Sequence, residues 1–169
     1  MSEDARPVDV SRSTVVRLMV PADANFMGNI FGGTILAEVD RVAYVTATRH
    51  SGGNCVTASF DRVDFLAPVH VGDLVEFVAT ITFVGRSSME VWVEVRAEDV
   101  RGGPRRPVGN AYVTMVALDD SGNPKKVPPL ALTTEAERLR FAEAKRRMDA
   151  RRATRAASPS VESKKSPRS

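Results

Sequence analysis

Gly28-Asn29-Ile30-Phe31-Gly32-Gly33-Thr34-Ile35-Leu36-Ala37-Glu38-Val39-Asp40 is the stretch on which the fold turns. It reads as a loop bearing an amide side chain, a glycine pair, and the start of an amphipathic helix. Leu36, Val39, Ala43 and Ala47 recur at three- and four-residue steps, so the spacing predicts a helix from about Gly33 to His50. Ser51-Gly52-Gly53 is its expected stop. Glycines at the head of a helix let a ligand approach the bare amides of the first turn. Those amides, with the helix dipole, favour negative charge developing on an oxygen. Asp40 borders the apolar stripe beside Leu36, Ala43 and Tyr44. On periodicity alone it is either the edge of a polar face or a working acid. An amide, an oxyanion-ready helix end and a carboxylate together point to hydrolysis of an acyl compound.

Strand signals flank this helix. Ser13 to Val20 is β-branched and apolar, and Pro21-Ala22-Asp23 ends it. Cys55 to Phe65 alternates in part. Asp73 to Val84 alternates through Val75, Phe77, Ala79, Ile81 and Phe83. Ser88 to Ala97 sets Met89, Val91, Val93 and Val95 against Glu90, Trp92, Glu94 and Arg96, and Val108 to Leu118 is the last strand. Gly85-Arg86-Ser87 is short enough for a hairpin. The order is strand, long helix, four strands. One helix covers five strands only if the sheet curls around it, and the remaining apolar surface then calls for a partner subunit. Further on, Thr134-Glu135-Ala136-Glu137 is a capping box opening a second helix to about Arg155. Leu139 and Met148 are its sparse apolar contacts, so a loosely docked or solvent-facing helix is expected.

Composition sets the outer limits. At 169 residues the chain fits one domain with extensions. The net charge of +3 is unevenly spread: residues 1–132 carry −3 and residues 133–169 carry +6. The basic excess is read as a solvated helix and tail, so no nucleic-acid partner is expected. No apolar run is long enough for a bilayer, and Met1 to Asp9 shows no basic start followed by an apolar stretch. A lone Cys55 permits no intrachain disulfide and fits a reducing, cytoplasmic compartment. Two histidines and one cysteine, far apart, make no zinc site, so neither metal nor cofactor is expected. His50 is read as a helix C-terminal cation, His70 as a surface loop residue and Cys55 as a buried strand residue. The expected divisions are a flexible N-terminus (1–12), the sheet-and-helix domain (13–128), a connector with a basic helix (129–157) and a disordered tail (158–169).

Pro21-Ala22-Asp23-Ala24-Asn25, Gly28-Asn29-Ile30-Phe31-Gly32-Gly33, Asp40, Asp64-Phe65-Leu66-Ala67-Pro68-Val69 and Val71-Gly72-Asp73 occur in this order. Over roughly residues 13–128 the chain resembles the acyl-coenzyme A thioesterases of the hotdog fold, in particular the bacterial YciA-like and cytosolic acyl-CoA hydrolase group. The resemblance implies an α+β fold, with a curved antiparallel five-stranded sheet around one long helix, here with a C-terminal helical extension. It implies paired subunits, a hexamer built as a trimer of dimers, and sites at the dimer interface. It puts the catalytic pair on Asn29 and Asp40. Acyl-CoA contacts fall on Gly32 and Gly33 and on the hairpin Arg86-Ser87-Ser88, where Arg86 is either a phosphate contact or an exposed turn residue.

From Gly33 to Asp40 is about 10 Å along a helix axis at about 1.5 Å per residue. Both reacting groups must come within roughly 3 Å of the carbonyl or the water. The simpler arrangement sets Asn29 and Gly33 of one subunit against Asp40 of its partner. A thioester carbonyl would rest on the Gly33 amide, polarised by Asn29, while Asp40 activates water or attacks directly. The competing expectation is a non-catalytic acyl-CoA-binding regulatory module of the same fold.

Overall fold

The computed structural model describes residues 4–157. The expected disordered tail, 158–169, lies outside the described residues. The long helix α2 spans Gly32–Ser51, close to the range its periodicity predicts. Gly52 ends it in the left-handed region (φ +66°), its amide donating to the Thr48 carbonyl at 2.9 Å. Ile35, Val39, Val42, Ala43 and Ala47 form its buried stripe.

Five antiparallel strands wrap this stripe: β2 (Ser13–Leu18), β3 (Cys55–Phe65), β4 (Asp73–Val84), β5 (Ser88–Asp99) and β6 (Arg106–Ala117). Their spatial order is β2-β4-β5-β6-β3, so β2 and β3 are the edges. Val75, Phe77, Ala79 and Ile81 of β4 and Met89, Val91, Val93 and Val95 of β5 all enter the core against α2. The even period breaks once. A register shift between Ile81 and Phe83 turns Phe83 to the outer face, away from the stripe its spacing suggests.

The chain ends depart from expectation. Residues 6–11, expected within a flexible N-terminus, form strand β1 (Arg6–Pro7) and a one-turn helix α1 (Val8–Ser11). β1 pairs in parallel with β7 (Leu130–Ala131), and Arg6 Nη1 donates to the His50 carbonyl at 2.7 Å. The C-terminal helix α3 (Glu135–Ala157) opens with the expected box: the Glu137 amide donates to Thr134 Oγ1 at 3.2 Å, and Glu137 Oε2 accepts from the Thr134 amide at 2.9 Å.

It is not the loosely held helix its sparse apolar residues suggest. Leu139 points outward, but Phe141, Ala144 and Met148 pack on Phe83 across the outer sheet face. Arg147 holds the fully buried Glu90 through two hydrogen bonds of 2.8 and 3.2 Å, and Arg151 pairs with Asp61 at 3.0 Å. Burial of polar partners beneath the helix is a tertiary fact that apolar periodicity does not encode.

His50 also departs from its expected role. It is fully buried, and Nε2 meets the Pro128 carbonyl at 2.9 Å. Burial pushes its pKa below the usual imidazole value, the Pro128 hydrogen bond opposing and the Arg6 charge adding to the effect. A neutral ring, not a dipole-complementing cation, is the favoured form.

Candidate active site

The chain between β2 and α2 is built as a small closed loop. Pro21–Asp23 makes a 3₁₀ turn, and Ala24 and Ile30 then bridge each other. The Asn25 amide donates to the Asn29 carbonyl at 2.8 Å, and Gly28, at φ +78°, donates to the Asn25 carbonyl at 3.0 Å. A side chain at Gly28 would be strained in that conformation. Asn29 bridges His70, and the Ile30 amide donates to the Val69 carbonyl at 2.8 Å, which anchors the loop on the segment before β4.

The Asn25 side chain has a defined orientation. Its Oδ1 accepts from the Met27 amide at 2.9 Å and the Asn29 amide at 3.2 Å. Only the carbonyl end of a carboxamide accepts, so its NH₂ end faces away from these amides, with no partner among the described residues. Sequence reading placed the functional amide on Asn29. The Asn29 side chain also has no hydrogen-bond partner among the described residues, whereas its main chain supports the loop. The signal for Asn25 lay in Asp23-Ala24-Asn25, already part of the resemblance.

Phe31 caps α2 without a side-chain hydrogen bond, leaving the first-turn amides uncapped by the protein's own side chains. The two glycines differ. A Cβ on Gly32 would sit 3.1 Å from the Phe65 ring, so the absence of a side chain admits that ring; a Cβ on Gly33 would meet nothing within 4 Å. Gly33 therefore presents open backbone. An apolar cavity of about 430 Å³ adjoins this helix end, lined by Ile30, Ile35, Phe65, Leu66, Val69 and Val108, among others.

Asp40 lies two turns further along α2. It faces the sheet edge: Thr57 Oγ1, on edge strand β3, donates to Asp40 Oδ1 at 2.6 Å. One carboxylate oxygen is thereby held in place. Sequence reading missed Thr57, because the pairing of Asp40 with a strand residue depends on how α2 lies against β3. Phe26, Met27, Phe31, Phe65 and Leu66 are exposed around the loop and helix start, and Tyr44, Val56 and Phe60 along α2 and β3.

Arg86, Ser87 and Ser88 lie elsewhere. The Arg86 carbonyl accepts from Val127 and the Ser87 carbonyl from Ala117, both at 2.9 Å. Ala117 pairs with Cys55, and Cys55 Sγ lies 3.2 Å from Ser51 Oγ at the far end of α2. The chain thus sets its hairpin tip and its glycine pair at opposite ends of a 20-residue helix, about 30 Å long. A second cavity of about 670 Å³ opens beside the tip, lined by Arg6, Arg86, Lys126 and Pro128 among others. Among the described residues no helix is long and apolar enough to cross a membrane, and no group of three or more His, Cys, Asp or Glu is placed to hold a metal ion.

The thioesterase superfamily model matches residues 27–103. The uncharacterized acyl-CoA thioester hydrolase YkhA of Bacillus subtilis is 41% identical over 117 residues, covering 69% of this chain and 68% of its own. A hexameric acyl-CoA thioesterase crystal structure superposes with TM-score 0.86 at 41% identity, covering 92% of this chain and 99% of that one. The acyl-CoA hydrolase of Staphylococcus aureus, solved with butyryl coenzyme A and coenzyme A, gives TM-score 0.84 at 38% identity over 90% and 93% of the two chains. That hydrolase has also been solved with an aspartate, a threonine or an asparagine replaced by alanine. Identity at this level along most of both chains, on the same sheet-around-helix frame, shows that the chain belongs to the thioesterase superfamily, among the hotdog-fold acyl-CoA thioester hydrolases.

Proposed function

We propose that the protein hydrolyses acyl-CoA thioesters to the free carboxylic acid and coenzyme A, with Asp40 as the acid-base group. The hydrogen bond from Thr57 to Asp40 at the open sheet edge carries this reading. Thr57 pins Oδ1 and leaves Oδ2 to take a proton from water. The resulting hydroxide adds to the thioester carbonyl. The oxyanion so formed accepts hydrogen bonds from the first-turn amides at Gly33 and from an amide NH₂ of the preceding loop. Collapse breaks the C–S bond, and the departing thiolate takes up the proton. Direct attack by Asp40 is the other route: it expels the thiolate and forms an acyl-aspartyl anhydride, and in ¹⁸O-water a single turnover labels Asp40 where water opens that anhydride at its aspartyl carbonyl.

We assign the loop amide to Asn25. In the Staphylococcus aureus hydrolase the replaced aspartate and threonine stand 17 residues apart and the asparagine 15 before the aspartate. Asp40 and Thr57 are likewise 17 apart, and Asn25 stands 15 before Asp40, whereas Asn29 stands 11 before it. Asn25 also has the better-fixed NH₂ group.

The separation of the glycine pair from Arg86, Ser87 and Ser88 supports a site shared between subunits. Pairing two copies along β3 would run their α2 helices antiparallel and bring one copy's helix start toward the other's hairpin. In this arrangement Gly32, Gly33 and Asn25 act with Asp40 and the Arg86 hairpin of neighbouring copies. A hexamer, as in the neighbour solved in that state, would repeat such pairs. The free buried Cys55 and a cytosolic relative from Mus musculus, 34% identical over 149 residues, support a cytoplasmic setting.

Thiol release from a series of acyl-CoA chain lengths tests the proposal. Asp40→Ala is expected to reduce turnover by about 100-fold or more, and Asn25→Ala by a similar factor through loss of an oxyanion donor. Asn29→Ala should fall much less. Near-normal turnover in Asp40→Ala overturns the assigned chemistry. Tight acyl-CoA binding by the unaltered protein without thiol release would mean a regulatory binding module instead.

A further inference from the structure

Arg17 breaks the pattern of its strand. β2 alternates with Ser13, Val15 and Arg17 turned inward and Thr14, Val16 and Leu18 exposed. An apolar residue would suit the inward position; a guanidinium there loses hydration and must find partners. It finds two. Nη2 donates to Asp23 Oδ1 at 2.7 Å, and Nη1 donates to Glu38 Oε1 at 2.8 Å. Both carboxylates are nearly enclosed, with side-chain exposures of 11% for Asp23 and 7% for Glu38. Arg41 adds a second, more exposed cation to the same Glu38 oxygen.

The partners connect this ion cluster to the proposed site from both sides. Asp23 Oδ2 accepts from the Val20 amide at 3.1 Å and so closes the turn leading to Asn25. The Asp23 carbonyl accepts from the amide of Phe31, the cap of α2, at 3.0 Å. Asp23 thus fixes both the chain carrying the Asn25 amide and the backbone entering Gly32-Gly33. Glu38 stands on α2 itself, two residues before Asp40, on a different face.

We propose that Arg17 is a positioning residue for the hydrolytic reaction, holding Asn25 and the first-turn amides of α2 in one rigid frame through its fork between Asp23 and Glu38. The inference rests on the assignment of Asn25. Arg17 acts on the site through Asp23 and Glu38, its two carboxylate partners. A guanidinium bridges two carboxylates with separate nitrogens, which a lysine ammonium does not reproduce in the same geometry. Misplacing a reacting group by about 1 Å costs on the order of 100-fold in rate, so loss of the fork should appear mainly in kcat.

The test is a double-mutant cycle on the full-length protein, reading kcat and KM by thiol release beside oligomeric state and Tm. Arg17→Gln should lower kcat at least tenfold with KM changed less than threefold, and Arg17→Lys should recover part of that loss. In the Asn25→Ala background, Arg17→Gln should lower kcat by a clearly smaller factor than in the unaltered protein, because only the first-turn amides of α2 are left for it to position. An additive loss in that background, or a kcat that survives Arg17→Gln while Tm falls, makes Arg17 a stability residue only and overturns the proposal. If Asn25→Ala alone leaves kcat intact, the assignment of Asn25 has failed instead, a distinguishable result.

Discussion

Arg147→Met should release α3 without unfolding the domain. Glu90 is 1% exposed, and Arg147 is its one cationic partner among the described residues; Thr82 donates to the same carboxylate at 2.6 Å. Removing one partner of a buried pair costs about 3–5 kcal/mol, because the remaining charge stays desolvated. The apolar hold on α3 comes chiefly from Met148 and Phe141 against Phe83, with Phe141 and Phe83 centroids 5.0 Å apart. At about 1.5–3 kcal/mol for each large buried side chain, that hold is roughly 3–6 kcal/mol before the entropy of ordering the helix is subtracted. The penalty and the hold are of the same size. The cheaper response is for α3 to lift and let water reach Glu90, while the core around α2 keeps its packing.

Trp92, the single tryptophan, lies on that outer face beneath Arg140, 5.8 Å from ring centroid to guanidinium, and reports the event directly. Its emission should shift to the red, and amide exchange along α3 should rise toward the free-helix rate while α2 and β5 stay protected. The double change Glu90→Gln with Arg147→Met should restore most of the protection, since no buried charge remains. Unchanged α3 exchange in Arg147→Met would refute the argument, and so would uniform loss of protection across the whole domain.

Gly33→Ala should leave Tm unchanged or raised, because its Cβ meets nothing within 4 Å and alanine favours helix, yet thiol release should fall if a carbonyl docks on that backbone. Gly109→Ala should instead destabilise the fold, because its Cβ would lie 2.8 Å from the Asp64 carbonyl oxygen where β3 meets β6; Tm by calorimetry reads the loss. His50 contributes a pH dependence of known sign. Its folded pKa lies below the unfolded value near 6.5, so the unfolded chain binds the extra proton first and stability falls as pH drops below about 6.5 toward the lowered folded value. Denaturant titrations of the protein and of His50→Gln should show the same pH dependence above about 6.5, and the unsubstituted protein should lose more stability than the variant as pH falls from there to the lowered folded value.

The frame was legible along the chain. Three- and four-residue spacing marked α2, two-residue alternation marked β4 and β5, and Gly52 and the Thr134 box marked helix ends, because these signals act within one or two turns of backbone. Asp40 stood out for the same local reason, as an acid at the margin of an apolar stripe. Its partner is set by packing, since Thr57 reaches it from a strand brought alongside by the curl of the sheet. Tertiary contact likewise decided which end of the Asn25 amide faces outward, why Arg17 tolerates an inward position, and why a helix with few apolar residues lies against buried Glu90. A buried polar group is explained by what packs over it, and those neighbours are distant in the chain; linear spacing records periodicity but not the folded geometry that pairs one charge with another.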